Sequence, residues 1–139
     1  MLIAGAILAA ATVILLTRGD GSIDLGLVTD YEPGAVVYRS SDRFFVVRLD
    51  DGSMIALSDL DPHKQSGQSG QSSCRVTFRP DLGSGEEGAE DAFGRFFDAC
   101  TGSMYDISGR SLGGDGLDLR RRPVYADDGR LRIRRSDAP

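Results

Sequence analysis

Beyond Thr17, no stretch of about twelve residues spaces its apolar side chains as one face of a helix would. Apolar and β-branched residues come instead in short runs. These are Ala35-Val36-Val37-Tyr38, Phe44-Phe45-Val46-Val47-Arg48-Leu49, Met54-Ile55-Ala56-Leu57, Cys74-Arg75-Val76-Thr77-Phe78, Arg95-Phe96-Phe97, Met104-Tyr105-Asp106-Ile107 and Leu131-Arg132-Ile133. Runs of this length and composition read as strands. Asp50-Asp51-Gly52-Ser53 and Asp127-Asp128-Gly129 supply hairpin turns, because Asp and Gly tolerate the backbone angles that tight turns require. A chain of 139 residues has room for one domain and little more. The expectation is a small antiparallel all-β domain over residues 34–135.

Other segments interrupt or flank it. Gln65 to Ser73 reads QSGQSGQSS, a polar low-complexity stretch, so residues 64–73 are expected as a flexible loop. Residues 81–91 are rich in Gly and Glu and are expected as an exposed acidic loop. Residues 18–33 read as a tether, extended from Ser22 to Pro33, and residues 136–139 as a tail. Arg120, Arg121, Arg122, Arg130, Arg132, Arg134 and Arg135 make the C-terminal end basic. That end reads as a solvated strand face or as a patch for anionic lipid or an acidic partner.

Leu2 to Leu16 carries no charge and nothing more polar than Thr12. As a helix the stretch to Thr17 is roughly 24 Å long, short of the ~30 Å hydrocarbon core of a bilayer. It fits the apolar region of a signal peptide or a short membrane anchor. No basic residue precedes it, and its small residues Ala9, Ala10 and Ala11 lie in its middle rather than at a cleavage site. Arg18, Gly19 and Asp20 follow as a membrane exit would. Residues 1–17 are therefore expected to be an uncleaved transmembrane anchor. Gly5 and Ala9 have the spacing that lets helices approach in lipid, or are simply the small residues common in such segments.

Residue counts limit the chemistry. The chain has one histidine, two cysteines and no tryptophan, at a formal net charge of −5. One histidine excludes a site needing two imidazoles from one chain, and two cysteines exclude a four-thiolate zinc centre. The charge does not suggest a nucleic-acid partner.

The order of elements resembles the Rieske iron–sulfur family from about Gly34 to Arg135. Phe44 to Gly52, followed by Ala56-Leu57-Ser58-Asp59-Leu60, is similar to the family's approach to its first cluster loop. Phe96-Phe97-Asp98-Ala99-Cys100-Thr101-Gly102-Ser103-Met104-Tyr105-Asp106 is similar to the second. Gly109-Arg110 and Leu119 to Val124 fit the downstream pattern. The resemblance implies a Rieske-like antiparallel β-sandwich behind one transmembrane helix, of the quinol-oxidising type that carries a disulfide.

Rieske domains hold a [2Fe–2S] cluster with two cysteines on one iron and two histidines on the other. On this resemblance, Asp61-Pro62-His63 occupies the C-x-H of the first loop, so aspartate replaces a ligand cysteine and His63 is kept. In the C-x-C-H-G-S of the second loop, Asp98 replaces the other cysteine and Thr101 the other histidine. Three of four ligands are replaced, and no cofactor is expected. Ser103 and Tyr105 match positions whose hydroxyls bond cluster and cysteine sulfurs in the family. The downstream loop Gly113-Gly114-Asp115-Gly116 lacks the family's prolines.

Cys74 and Cys100 match the family's disulfide pair. Such a bond would close a loop of about 27 residues, stabilise by roughly 3 kcal/mol, and point to an oxidising, extracytoplasmic location. Two buried free thiols are the alternative.

The implied function is a cluster-free, membrane-anchored structural or interaction subunit of a respiratory or photosynthetic electron-transfer complex, not itself an enzyme. Its expected partners are the bilayer and other membrane subunits. Two alternatives stand beside it. One is an electron carrier with an atypical cluster, for which the donors are poor because carboxylates replace soft thiolates. The other is a mononuclear metal site at Asp61, His63 and Asp98. If the vacated ligand positions form a solvent-facing tip, His63 is simply a surface histidine.

Overall fold

The computed structural model describes residues 21–64, 75–85 and 92–135. The expected anchor, the QSG loop with Cys74, most of the acidic loop and the tail lie outside the described residues. Among the described residues, no helix is long and apolar enough to cross a membrane.

The domain is all-β, with antiparallel strands in three small sheets. The first contains β1 (Ser22–Leu27), β10 (Arg130–Arg134) and β9 (Tyr125–Asp127), in that order. The second runs β2 (Val36–Arg39), β3 (Phe44–Arg48), β4 (Met54–Ser58), β8 (Arg121–Arg122). The third runs β5 (Thr77–Arg79), β6 (Arg95–Phe97), β7 (Met104–Tyr105).

The unbroken apolar run Phe44-Phe45-Val46-Val47 explains this layering. A strand solvated on one face alternates apolar with polar, whereas one without alternation must be covered on both faces. All four side chains are at most 3% exposed. Phe44 and Val46 join Leu25, Tyr31, Ala56, Leu131 and Ile133 in one core cluster. Phe45 and Val47 point the other way and join Leu57, Val76, Phe96, Tyr105 and Leu119 in a second. There are thus two cores, one on each face of β3, rather than the single core of a two-sheet sandwich. Phe96 carries the second core across to the third sheet, with ring centroids 4.9 Å from Phe45 and 5.2 Å from Phe78.

The hairpin turns form as their residues demand. β9 and β10 pair directly across Asp128-Gly129, both with positive φ (52° and 77°), which suits a two-residue turn matched to strand twist. Between β3 and β4, Leu49 N–H donates to Ser53 O at 2.9 Å, and Gly52 takes the left-handed position at φ 83°.

The tether expectation needs correction. Ser22–Leu27, read as part of it, is strand β1, paired along β10 from Ser22↔Arg134 to Leu27↔Arg130. Its alternation Ile23, Leu25 against Ser22, Asp24 is short and interrupted by Gly26, where the register shifts. Pairing with β10, over a hundred residues away, makes it a strand. β5 begins at Thr77, later than Cys74, and the strand expected over Met104–Ile107 ends at Tyr105 because Asp106 folds its carboxylate onto the Ser108 and Arg110 amides.

Candidate functional site

β4 ends at Ser58 and delivers Asp59 to His63 to one end of the domain. β6 and β7 deliver Asp98 to Ser103 to the same end. Tight local geometry holds each loop. Asp61 Oδ1 accepts the His63 amide at 2.8 Å, while Pro62 opens a short 3-10 helix over Pro62–Lys64. Asp98 Oδ1 accepts the Cys100 amide at 2.8 Å, and the Gly102 amide returns to Asp98 O at 2.7 Å. Gly102 has φ 75°, so a glycine suits the turn.

The two loops meet through side chains. Thr101 Oγ1 donates to Asp61 Oδ2 at 2.6 Å, and His63 Nδ1 lies 2.6 Å from Asp61 Oδ1. Thr101 Oγ1 is 2.8 Å from Ser103 Oγ, which stands 3.4 Å from His63 Nδ1, with Tyr105 Oη 3.5 Å from the same nitrogen. Asp61, His63, Thr101, Ser103 and Tyr105 thus meet through these contacts, with buried Asp98 in the same loop as Thr101.

The expected tip is less open than its sequence suggests. Asp61 and Asp98 are 1% and 0% exposed. Nor is His63 a bare surface histidine. Its Nε2 is 2.6 Å from Asp115 Oδ2, in a third loop 52 residues away. Asp115 is held in turn by the Ser111 hydroxyl and the Leu117 amide on its other oxygen, at 2.8 and 3.0 Å. Nothing local in Gly113-Gly114-Asp115-Gly116 marks that partnership.

A second cluster at the same end also escapes sequence reading. Asp59, 1% exposed, accepts the Tyr38 hydroxyl at 2.7 Å and Arg75 at 2.6 Å. Around the His63 loops, Met104, Leu112 and Leu117 are 37–44% exposed, and the Leu112 amide donates to Met104 O at 2.9 Å. The end thus has a carboxylate–imidazole centre and an apolar rim.

The electrostatics follow from these bonds. Burial pushes the Asp61 carboxyl up, but Thr101 and both His63 donors outweigh it and hold the group well below the usual carboxylate range. Bonds to Asp115 and then Asp61 raise His63 above its ordinary value. The Leu117 amide, His63 and Ser111 lower Asp115 to about 2. Burial and the Asp61 charge raise Tyr105. An imidazolium donating from both nitrogens to two carboxylates satisfies all three groups.

This arrangement argues against hydrolytic chemistry. Ser103 lies near His63, but both ring nitrogens are engaged by carboxylates, leaving no base to accept its proton. Among the described residues, no group of three or more His, Cys, Asp or Glu is placed to hold a metal ion. Cys100 is exposed and is not a free thiol, whereas Cys74 lies outside the described residues.

A pH dependence follows. His63, raised on folding, contributes stability that is complete below its unfolded value near 6.5 and is lost as pH rises through its folded value. Asp61 and Asp115, lowered on folding, contribute fully above about 3.9 and lose their contribution as pH falls through their folded values. Thermal melts should therefore show greatest stability between about pH 4 and 6.5. His63→Gln should flatten the fall on the alkaline side. An NMR titration placing His63 at or below 6.5 would contradict this.

No family model matches the chain, and no curated protein matches it. Solved structures do resemble it. A chain from Mycobacterium tuberculosis, described as the small subunit of an NADH-dependent nitrite reductase, is 19% identical with TM-score 0.43, over 81% of this chain and 92% of that one. The ferredoxin of carbazole 1,9a-dioxygenase from Nocardioides aromaticivorans is 16% identical with TM-score 0.45, over 81% of this chain and 95% of that one. Likeness at this level assigns neither a family nor an activity.

Proposed function

We propose that the chain is a cluster-free Rieske-like protein of the disulfide-bearing type. Residues 1–17 anchor it in a membrane, with the β domain on the extracytoplasmic side. It serves as a structural or docking subunit of a larger respiratory or photosynthetic electron-transfer complex. The observation that carries this reading is the direct bonding between the two loops, with Asp61 Oδ2 2.6 Å from Thr101 Oγ1.

The residues at the matching positions do not suit a [2Fe–2S] cluster. Asp61 and Asp98 offer hard oxygens where iron and sulfide favour thiolates, and Thr101 offers a hydroxyl where the family has an imidazole. Asp61, Thr101 and His63 are also committed to one another and to Asp115. The imidazolium–carboxylate centre joins loops that a cluster joins in the family. The exposed Met104, Leu112 and Leu117 give this end an apolar rim suited to a protein partner. A Cys74–Cys100 bond belongs to the same reading, as does the extracytoplasmic location.

Iron and acid-labile sulfide analysis, with EPR after reduction, tests the first half of the reading on protein purified from its native membranes. The expected result is a colourless, EPR-silent protein with substoichiometric iron and sulfide. Native electrophoresis in mild detergent should place it with a haem-containing complex. A stoichiometric cluster would make it an electron carrier, and migration as a lone monomer would remove the docking role.

A further inference from the structure

The strand pairing places the basic C-terminal residues beside the start of the domain. Ser22 opposes Arg134, and the Arg135 amide donates to Gly21 O at 2.7 Å. Three residues lie between Thr17 and Gly21, so the four chain steps between them span at most about 14 Å. The β domain therefore has little slack below its first strand.

The arginines of β10 are not equivalent. Leu131 and Ile133 face the first core, at 2% and 0% exposure, so Arg130, Arg132 and Arg134 share the other face. At the end far from Gly21, Arg130 makes a two-pronged contact with Asp24 at 2.8 and 3.1 Å. Arg132 lies 3.7 Å from an Asp127 carboxylate oxygen. At the near end, Arg134 is exposed and sits over the Tyr125 ring at 5.8 Å, and Arg135 is exposed beside it. Among the described residues, neither Arg134 nor Arg135 has a carboxylate partner. In a chain with a formal net charge of −5, Arg134 and Arg135 are thus two exposed cations beside Gly21 with no carboxylate partner among the described residues.

We propose that Arg134, Arg135 and Tyr125 form a contact surface for anionic phospholipid headgroups, seating the β domain against the bilayer. This inference rests on the reading of residues 1–17 as a membrane anchor. Three physical arguments support it. A short connection holds the surface near the headgroup layer, where the Debye length is about 8 Å at physiological salt. Arginine over tyrosine combines a cation with an amphipathic ring of the kind that settles at membrane interfaces. The anchor also makes contact intramolecular, so two arginines suffice where a free domain would need more.

The absence of tryptophan makes a clean probe available. Tyr125→Trp preserves the cation–π geometry and gives the full-length protein one tryptophan at the proposed surface. The protein would be reconstituted in vesicles of phosphatidylcholine alone or mixed equally with phosphatidylglycerol, then floated on a density gradient. Only the phosphatidylglycerol vesicles should blue-shift the emission and expose it to quenching by headgroup-labelled nitroxide lipid. High salt should reverse both effects. Replacing Arg134 or Arg135 by Gln should lower the docked-to-free ratio about fivefold each. Flotation with emission indifferent to phosphatidylglycerol and salt overturns the contact but leaves the anchor intact. Failure to float overturns both. The salt measurement needs no arginine substitution, so a poorly folded variant cannot decide the matter.

Discussion

Asp61→Ala is expected to destabilise the domain by roughly 2–4 kcal/mol, because it removes the buried carboxylate on which donors from two loops meet. Asp61 takes the Thr101 hydroxyl on one oxygen, and the His63 amide and ring on the other. At about this domain size the loss corresponds to a fall in Tm of roughly 10–25 °C. Asp61→Asn separates charge from geometry. Its carbonyl can still accept from His63 and its amide can donate to the Thr101 hydroxyl, so it should cost only about 1 kcal/mol. Circular-dichroism melts of the two variants measure the difference. If alanine and asparagine are equally mild, the two loops are held by backbone packing alone, and the bonded centre contributes little.

Restoring the family's ligand types should change the chemistry outright. The triple variant Asp61→Cys, Asp98→Cys and Thr101→His, with His63 kept, supplies two thiolates and two imidazoles at the matching positions. It also removes the Thr101–Asp61 bond that ties the loops together. Anaerobic reconstitution with iron and sulfide should give a coloured protein with a Rieske-type EPR signal after reduction, while the parent treated identically stays colourless. Leaving Asp115 in place tests how strongly the third loop competes for His63, and Asp115→Asn in the same background should raise cluster occupancy. A triple variant that folds but takes up no cluster would mean that these loops do not present the four positions as a cluster requires. The Rieske-like reading would then lose its main support.

Much of the strand framework was legible locally. Phe44 to Val47 reads as a strand from its β-branched and aromatic residues, and the structure shows it covered on both faces. Asp128-Gly129 could form its two-residue turn because both residues accept positive φ. β1 was not legible in the same way. Ser22–Leu27 has a weak pattern and a glycine in its middle, and it becomes a strand only through the edge that β10 offers.

The site divides along the same line. Asp61, His63, Asp98, Thr101, Ser103 and Tyr105 are singled out by the Rieske resemblance, which sets residue types against motif positions. Their state is not. Asp61 and Asp98 are buried, and Asp61 accepts the Thr101 hydroxyl from a loop 40 residues on, which no local pattern marks. Asp115 had no local mark at all, and it decides that His63 bridges two carboxylates rather than facing water.

The sequence by itself determined the class of fold, the turns and the donor types present at the loops, because side-chain alternation, φ preference and residue identity act over a few neighbouring positions. Only the tertiary structure decided which donors and acceptors meet. Hydrogen bonds between residues 40 and 52 positions apart depend on how the sheets set the loops against one another. The same holds for the basic end of β10, whose place beside Gly21 comes from a pairing between the two ends of the domain.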